Sequence, residues 1–233
     1  MEVIPKGNNF RIVSESELSS ILDVLKNYLP GSIKFHETVK TYLKDKVWQF
    51  YFYVANEWPD VLDIVNYFIP LYERIGTIEQ IQAEVYTYDR KLNLPNAHRC
   101  PDEVEIRALT LENVKDIHDL YPAGNFESVD VFINLIERLP GCGIFSKKDG
   151  ELLAWMVQSY YGAMFSMQTK PIHRRKGYGI WLAKTLTEIV IKRGYLPYVV
   201  IRPENNASKG LYQKLGFQKR FKVVRAIFKP KED

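Results

Sequence analysis

Hydrophobic and polar positions along the N-terminal third alternate between a helical and an extended period. Leu18, Ile21, Leu22, Leu25 and Tyr28 recur at three- and four-residue spacing, which predicts an amphipathic helix. Ser14-Glu15-Ser16-Glu17 reads as its capping box and Pro30-Gly31 as its stop. A weaker helical stretch covers about 32–44, and the apolar, β-rich run Val47 to Val54 predicts a buried strand. Trp58-Pro59-Asp60 marks a turn, Val61 to Ile69 a further strand, and Val85 to Tyr88 a short one, while residues 71–84 show no clear period. Residues 89–102 are polar with two prolines, so a domain boundary is expected there, between an N-terminal half (1–95) and a C-terminal domain (103–233).

The pattern then restarts. Val104 to Leu109 alternates as a strand, and helical spacing follows over 111–121 and 127–139, the second helix ending at Pro140-Gly141. Residues 143–147, 152–160 and 163–169 read as three strands, the first two joined across Asp149-Gly150, a strong hairpin signal. A helix over 178–193 buries Leu182, Leu186, Ile189 and Val190 and is capped by Gly194. Tyr198 to Ile201 is a short buried strand, 207–215 a short helix closed by Gly216, and 217–228 the last strands. The resulting order predicts a mixed α/β fold with a parallel crossover around the 178–193 helix.

Composition narrows the class. The 233 residues are 46% hydrophobic and 26% charged, and no apolar run reaches the length of a membrane span, so a soluble protein with a sizeable core is expected. Cys100 and Cys142 stand alone and His36, His98, His118 and His173 are scattered, so no metal site is expected. The cysteine usage and the lack of a signal or transit pattern suit a cytoplasmic protein. The net charge of +4 conceals an asymmetry: residues 1–100 carry 11 Lys and Arg against 13 Asp and Glu, residues 170–233 carry 16 against 4. The positive field therefore surrounds Arg174-Arg175-Lys176-Gly177-Tyr178-Gly179, where a strand pattern hands over to the long helix. Cations, small residues and the unpaired N–H groups of a helix start suit a phosphate or pyrophosphate there. A solvated basic turn is the alternative. The spacing fits neither a Walker loop nor Gly-x-Gly-x-x-Gly, since Leu182 occupies the third glycine position.

A second block, Asn205-Asn206-Ala207-Ser208-Lys209-Gly210-Leu211-Tyr212-Gln213-Lys214-Leu215-Gly216-Phe217, follows about 30 residues later. Together the two blocks resemble the GNAT superfamily of acyltransferases, whose Arg/Gln-x-x-Gly-x-Gly/Ala hallmark is Arg174 to Gly179 here. The resemblance covers about 103–228 and implies acyl-CoA or acetyl-CoA in a splayed cleft between the fourth and fifth strands of the domain. It implies that the pyrophosphate rests on Arg174, Arg175, Lys176, Gly177, Tyr178 and Gly179, and that Met167, Gln168 and Thr169 on the fourth strand face the pantetheine. Asn205 and Ser208 would contact the cofactor from the other side, and Tyr212 would protonate the departing thiolate, a role suited to a phenol near its ordinary pKa. Read from the residues alone, Asn205 also suits a helix cap, and Tyr212 and Cys142 also suit core positions.

Leu29 to Lys34 followed by Trp58-Pro59-Asp60 resembles the degenerate first half of glycine N-acyltransferase-like proteins. That implies transfer of an acyl group to the amine of a small acceptor such as an amino acid, and admits the mitochondrial matrix as a location. In that family a catalytic Glu follows the glycine that opens the fourth strand; here Ala163 follows Gly162. Glu151, Glu204 and His173 are the candidate substitutes, with water as a further one. Loss of activity, leaving an acyl-CoA-binding or regulatory module, is the alternative, and a nucleic-acid binder is disfavoured by the absence of an aromatic RNA motif or recognition helix.

Overall fold

The computed structural model describes residues 10–55, 69–70, 72–89, 100–124 and 127–231. In the N-terminal part, β1 (Phe10–Ile12) pairs with β2 (Tyr53–Ala55), and α1 (Leu18–Asn27) and α2 (Ile33–Asp45) pack on each other around Leu18 and Val39. The capping box is formed: the Ser14 backbone N–H donates to Glu17 Oε2 at 3.0 Å. The aromatic run 47–54 departs from the expected buried strand. Only its end joins a ladder, because alternate residues diverge: Phe50 and Phe52 pack on Tyr42, while Tyr51 is 52% exposed. Residues 56–68, which carry the expected turn at 58–60 and most of the expected strand at 61–69, lie outside the described residues.

The aperiodic stretch 71–84 contains most of β3 (Gly76–Tyr88), a thirteen-residue strand. Its outer half carries Glu79, Gln80 and Gln82, so sequence periodicity misses it. It is held by pairing with β9 (Phe217–Pro230), whose Lys229 faces Glu79. Further in, Glu84 takes Lys219 and Lys209 (3.2 Å), which hold its carboxyl at a pKa of about 2, Lys219 contributing most. On its other edge β3 pairs antiparallel with β8 (Tyr198–Ile201). A strand from before the expected boundary thus lies between two strands from after it.

The second sheet is antiparallel in the order β4 (Val104–Ala108), β5 (Gly141–Ser146), β6 (Leu152–Gln158), β7 (Met164–Thr169). Every residue of β6 is buried, so the strand needs cover on both faces. Ala154 and Met156 meet Leu182, Leu186 and Val190 of the helix that follows β7. Trp155 and Val157 meet Ile117, Phe132 and Leu135 of α3 (Val114–Asp119) and α4 (Val129–Arg138). The helix after β7, α5 (Tyr178–Lys192), crosses over to β8; α6 (Asn206–Lys214) links β8 to β9.

The N-terminal part docks on the crossover through α2. Lys40 and Lys44 donate to the carbonyls of Gly194 (2.6 Å) and Arg193 (2.7 Å), capping the negative end of α5. Buried Glu37 accepts the Leu196 backbone N–H at 3.1 Å and meets His36 Nδ1 at 2.8 Å. Among the described residues no helix is long and apolar enough to cross a membrane.

Candidate functional site

The site follows from a break in the sheet. β7 and β8 lie side by side without a ladder between them, because the crossover sends β8 to pair with β3. Two strand edges therefore face each other, each with backbone donors and acceptors free of strand partners on that side. A 370 Å³ cleft fills the gap, with Met164 to Gln168 on one wall and Val199 to Arg202 on the other. Asn205, Ser208 and Tyr212 of the α6 segment close one end; Tyr121, Tyr161 and Phe165 line the other. A 540 Å³ cavity adjoins it at the start of α5, lined by Thr169, by His173 to Ile180 and by residues of α6.

The phosphate end is built from backbone conformation. Arg174 is extended, Arg175 takes φ 65° and Gly177 takes φ 79° as the residue preceding α5. Two left-handed residues in so short a turn bring successive N–H groups into a concavity, and the start of the fifteen-residue α5 adds its free donors. Nothing stands within 4 Å of a Cβ at Gly177, so this glycine is required by conformation rather than by space. Gly179 is the reverse: a Cβ there would lie 3.0 Å from Leu211 Cδ1, so its small size lets α5 approach α6. The Tyr178 side chain is buried in the core beside Trp181, which leaves its backbone as the part available to a ligand. Arg174 Nε donates to the Thr169 carbonyl at 3.3 Å, tying the loop to the end of β7.

The middle of the cleft carries a bulge. Trp155 pairs with Gln168 and Val157 with Phe165, so Met156 opposes both Ser166 and Met167. Ser166 has φ 50°, unusual for a non-glycine residue in a strand, and its Oγ is buried without a hydrogen-bond partner among the described residues. Strained backbone and an unsatisfied hydroxyl in one cleft wall fit a ligand that brings its own polar groups. No sequence signal marks Ser166, because a bulge is a property of register between two strands.

Asn205 caps α6, its Oδ1 accepting the Ser208 N–H at 3.0 Å, so a side-chain contact from Asn205 to a ligand must come from Nδ2. Tyr212 is 3% exposed, lines the cleft and directs its hydroxyl at Met156 Sδ, 3.8 Å away. The expectation of an ordinary phenol is corrected here: burial, reinforced by the nearby Cys142, holds its pKa well above 10. Such a phenol hydrogen-bonds to a thiolate more readily than it surrenders its proton. The Cys142 thiol is itself pushed up to about 12 by burial and is inert.

Ala163 is 1% exposed among Ile33, Val85 and Tyr198, a packing position with no ionisable group. Of the three proposed substitutes, Glu151 is tied to Lys170 at 3.0 Å and Glu204 is solvent-exposed; neither lines the cleft. His173 lines the phosphate end. Among the described residues no group of three His, Cys, Asp or Glu side chains could hold a metal ion.

Comparison with known proteins agrees with this architecture. A family described as FR47-like protein matches residues 141–226, from β5 into β9. A Drosophila protein solved by X-ray crystallography is 17% identical, superposes with a TM-score of 0.75 and covers 97% of this chain and 99% of its own. A GCN5-related N-acetyltransferase-like protein from Streptococcus suis is 15% identical (TM-score 0.54; 93% of this chain, 100% of that one). A tandem GNAT protein from the clavulanic acid biosynthesis pathway is 8% identical (TM-score 0.57; 96% and 99%). Comparison with curated proteins gives no match. The fold is that of the GNAT acetyltransferases.

Proposed function

We propose that the chain transfers an acyl group from acyl-CoA to the amine of a small acceptor such as an amino acid, in the manner of glycine N-acyltransferase-like proteins. The observation that carries this reading is the cleft between the unpaired edges of β7 and β8 together with the adjoining cavity at the left-handed, cationic turn Arg174 to Gly179. The turn suits a pyrophosphate. The open edges at Met167, Gln168 and Thr169 suit the two amides of a pantetheine arm, which can hydrogen-bond as an added strand does. Asn205 and Ser208 would hold the arm from α6, and the Tyr212 hydroxyl would stabilise the sulfur as the thioester breaks. Direct attack in a ternary complex then needs only orientation and proton handling from the protein. On the same reading residues 1–95 act as a degenerate GNAT-like half that braces the domain 103–233, a role supported by β3 and by the α2 contacts.

Free-thiol release from acetyl-CoA and from a longer acyl-CoA, across amino acids and simple primary amines, tests the reading. Acceptor-dependent release supports it. The buried, non-ionisable Ala163 favours a second reading, an acyl-CoA-binding module without turnover. Calorimetric binding with no thiol release from any amine would establish that one and remove the first.

A further inference from the structure

We propose that Glu127 accepts the proton of the acceptor amine, in place of the carboxylate that position 163 lacks. The proposal rests on the acyltransferase reading above and adds the group that reading leaves open.

The other buried or half-buried carboxylates of the two cores are already engaged. Glu37 uses Oε1 with His36 and Oε2 with Leu196, Glu84 is held by Lys219 and Lys209, and Asp45 by Arg193 and Tyr195. Glu127 is 8% exposed, and among the described residues its Oε2 is the one buried carboxylate oxygen without a hydrogen-bond partner. Leaving a buried carboxylate oxygen unpaired is costly, so the missing partner is itself the signal.

Its position gives the partner's chemistry. The Glu127 N–H donates to the Ala123 carbonyl at 3.2 Å, and the Glu127 carbonyl meets His118 Nε2 at 2.9 Å, which fixes this residue behind the segment Tyr121 to Ala123. That segment lines the end of the cleft remote from the phosphate turn, while Glu127 itself stands one layer back, so it would act on the cleft through a water. Tyr121 stands edge-on to Phe165 at 5.4 Å and Tyr161 to the same ring at 6.2 Å, so aromatic rings wall the space. Burial raises the Tyr121, Tyr160 and Tyr161 phenols first, and the Glu127 carboxylate raises each of them further, so its charge is felt at that wall. Burial also raises the Glu127 carboxyl itself, opposed by the Arg225 guanidinium. A buried, orphaned carboxylate beside an aromatic wall suits an ammonium group, which supplies the charge and, through that water, the hydrogen bond.

The step balances without a further reactant. The acceptor ammonium gives one proton to the Glu127 carboxylate through one water. The freed nitrogen pair bonds to the thioester carbonyl carbon, the C–S bond breaks with its pair on sulfur, and the nitrogen's second proton leaves to the thiolate. The products are the amide, the free thiol and protonated Glu127, which returns its proton to solvent.

The test uses the full chain, acetyl-CoA and the amine that wild type turns over fastest. Glu127→Gln should lower kcat/KM about 100-fold at pH 7 while leaving acetyl-CoA affinity within about twofold. It should also erase the acidic limb of the kcat/KM profile, and Glu127→Asp should retain that limb at a reduced rate. Of the groups around Glu127 (Tyr121, Tyr160, Tyr161, Arg225 and His118), histidine alone titrates near neutrality as a class, so His118→Gln is the control and should keep the limb. A Glu127→Gln enzyme within threefold of wild type with its limb intact overturns the proposal and leaves acyl transfer standing. Should that variant not fold, Glu127→Asp with unchanged rate and limb overturns it equally. A wild type that binds acetyl-CoA and releases no thiol with any amine overturns both, and is distinguishable because the failure precedes any substitution.

Discussion

The two ends of the cleft are made in opposite ways. At the phosphate end one six-residue loop carries the main features: Arg174 to Gly179 set the backbone, supply three cations and open α5. At the acyl end the lining comes from Tyr121 to Ala123, Tyr161, Met164 to Gln168 and Val199 to Arg202, segments up to about eighty residues apart in sequence, and aromatic rings form part of the wall. A pyrophosphate is bound through dipoles and charge, which a short loop can present. Reaction at a thioester needs an excluded, oriented space, which only a tertiary assembly provides.

Substitutions separate the two ends, beginning with the largest effect. Ala163→Glu, which restores the residue type expected by resemblance, should destabilise the protein by about 3 kcal/mol and add no activity, because the site is closed by Ile33, Val85 and Tyr198. Denaturant unfolding measures this, and a stable, faster enzyme would show that the acyl end can still accept the family's base. Gly177→Val at the phosphate end should weaken acetyl-CoA binding by about 30-fold, since a β-branched residue resists φ 79° by about 2 kcal/mol. Calorimetric titration reads this directly; unchanged affinity would detach the turn from the ligand. Between the ends, Tyr212→Phe should slow turnover about tenfold with acetyl-CoA affinity within about twofold, because the lost interaction is one hydrogen bond made as sulfur departs. Equal activity would remove Tyr212 from the reaction.

The smallest effect is a pH response to which the tyrosines of the acyl end contribute. Burial holds Tyr121, Tyr160 and Tyr161 above the ordinary tyrosine value in the folded state. The unfolded chain therefore binds fewer protons above about pH 10, and the stability these phenols contribute is present below that pH and lost as pH rises past it. The melting temperature should fall between pH 9.5 and 11, less steeply in Tyr161→Phe than in wild type. Identical slopes would mean that Tyr161 ionises as freely in the folded protein as in the unfolded chain.

The same contrast decides what could be read from sequence. The phosphate turn, α5 and the capped α6 were legible because each is contiguous: glycines, cations and apolar periodicity lie within one short window. The outer half of β3 was not, since its Glu79, Gln80 and Gln82 match no strand pattern until β9 is laid beside it. The aromatic run at 47–54 misled in the other direction, because hydrophobic content alone does not say that Tyr51 and Tyr53 face solvent. Ser166 became visible only through the register of β6 against β7, and Glu127 only through the absence of a partner for its Oε2. Tyr212 was found from its motif, but its acidity depends on burial that a motif does not record.

The central claim is that one thioester ligand spans both ends of this cleft. Hydrogen–deuterium exchange with and without saturating acetyl-CoA tests it most directly. The account predicts slowed exchange both in the turn 174–180 and along the facing edges 164–169 and 198–202. Protection confined to the turn would reduce the site to an anion cradle, and protection in neither region would contradict the account outright.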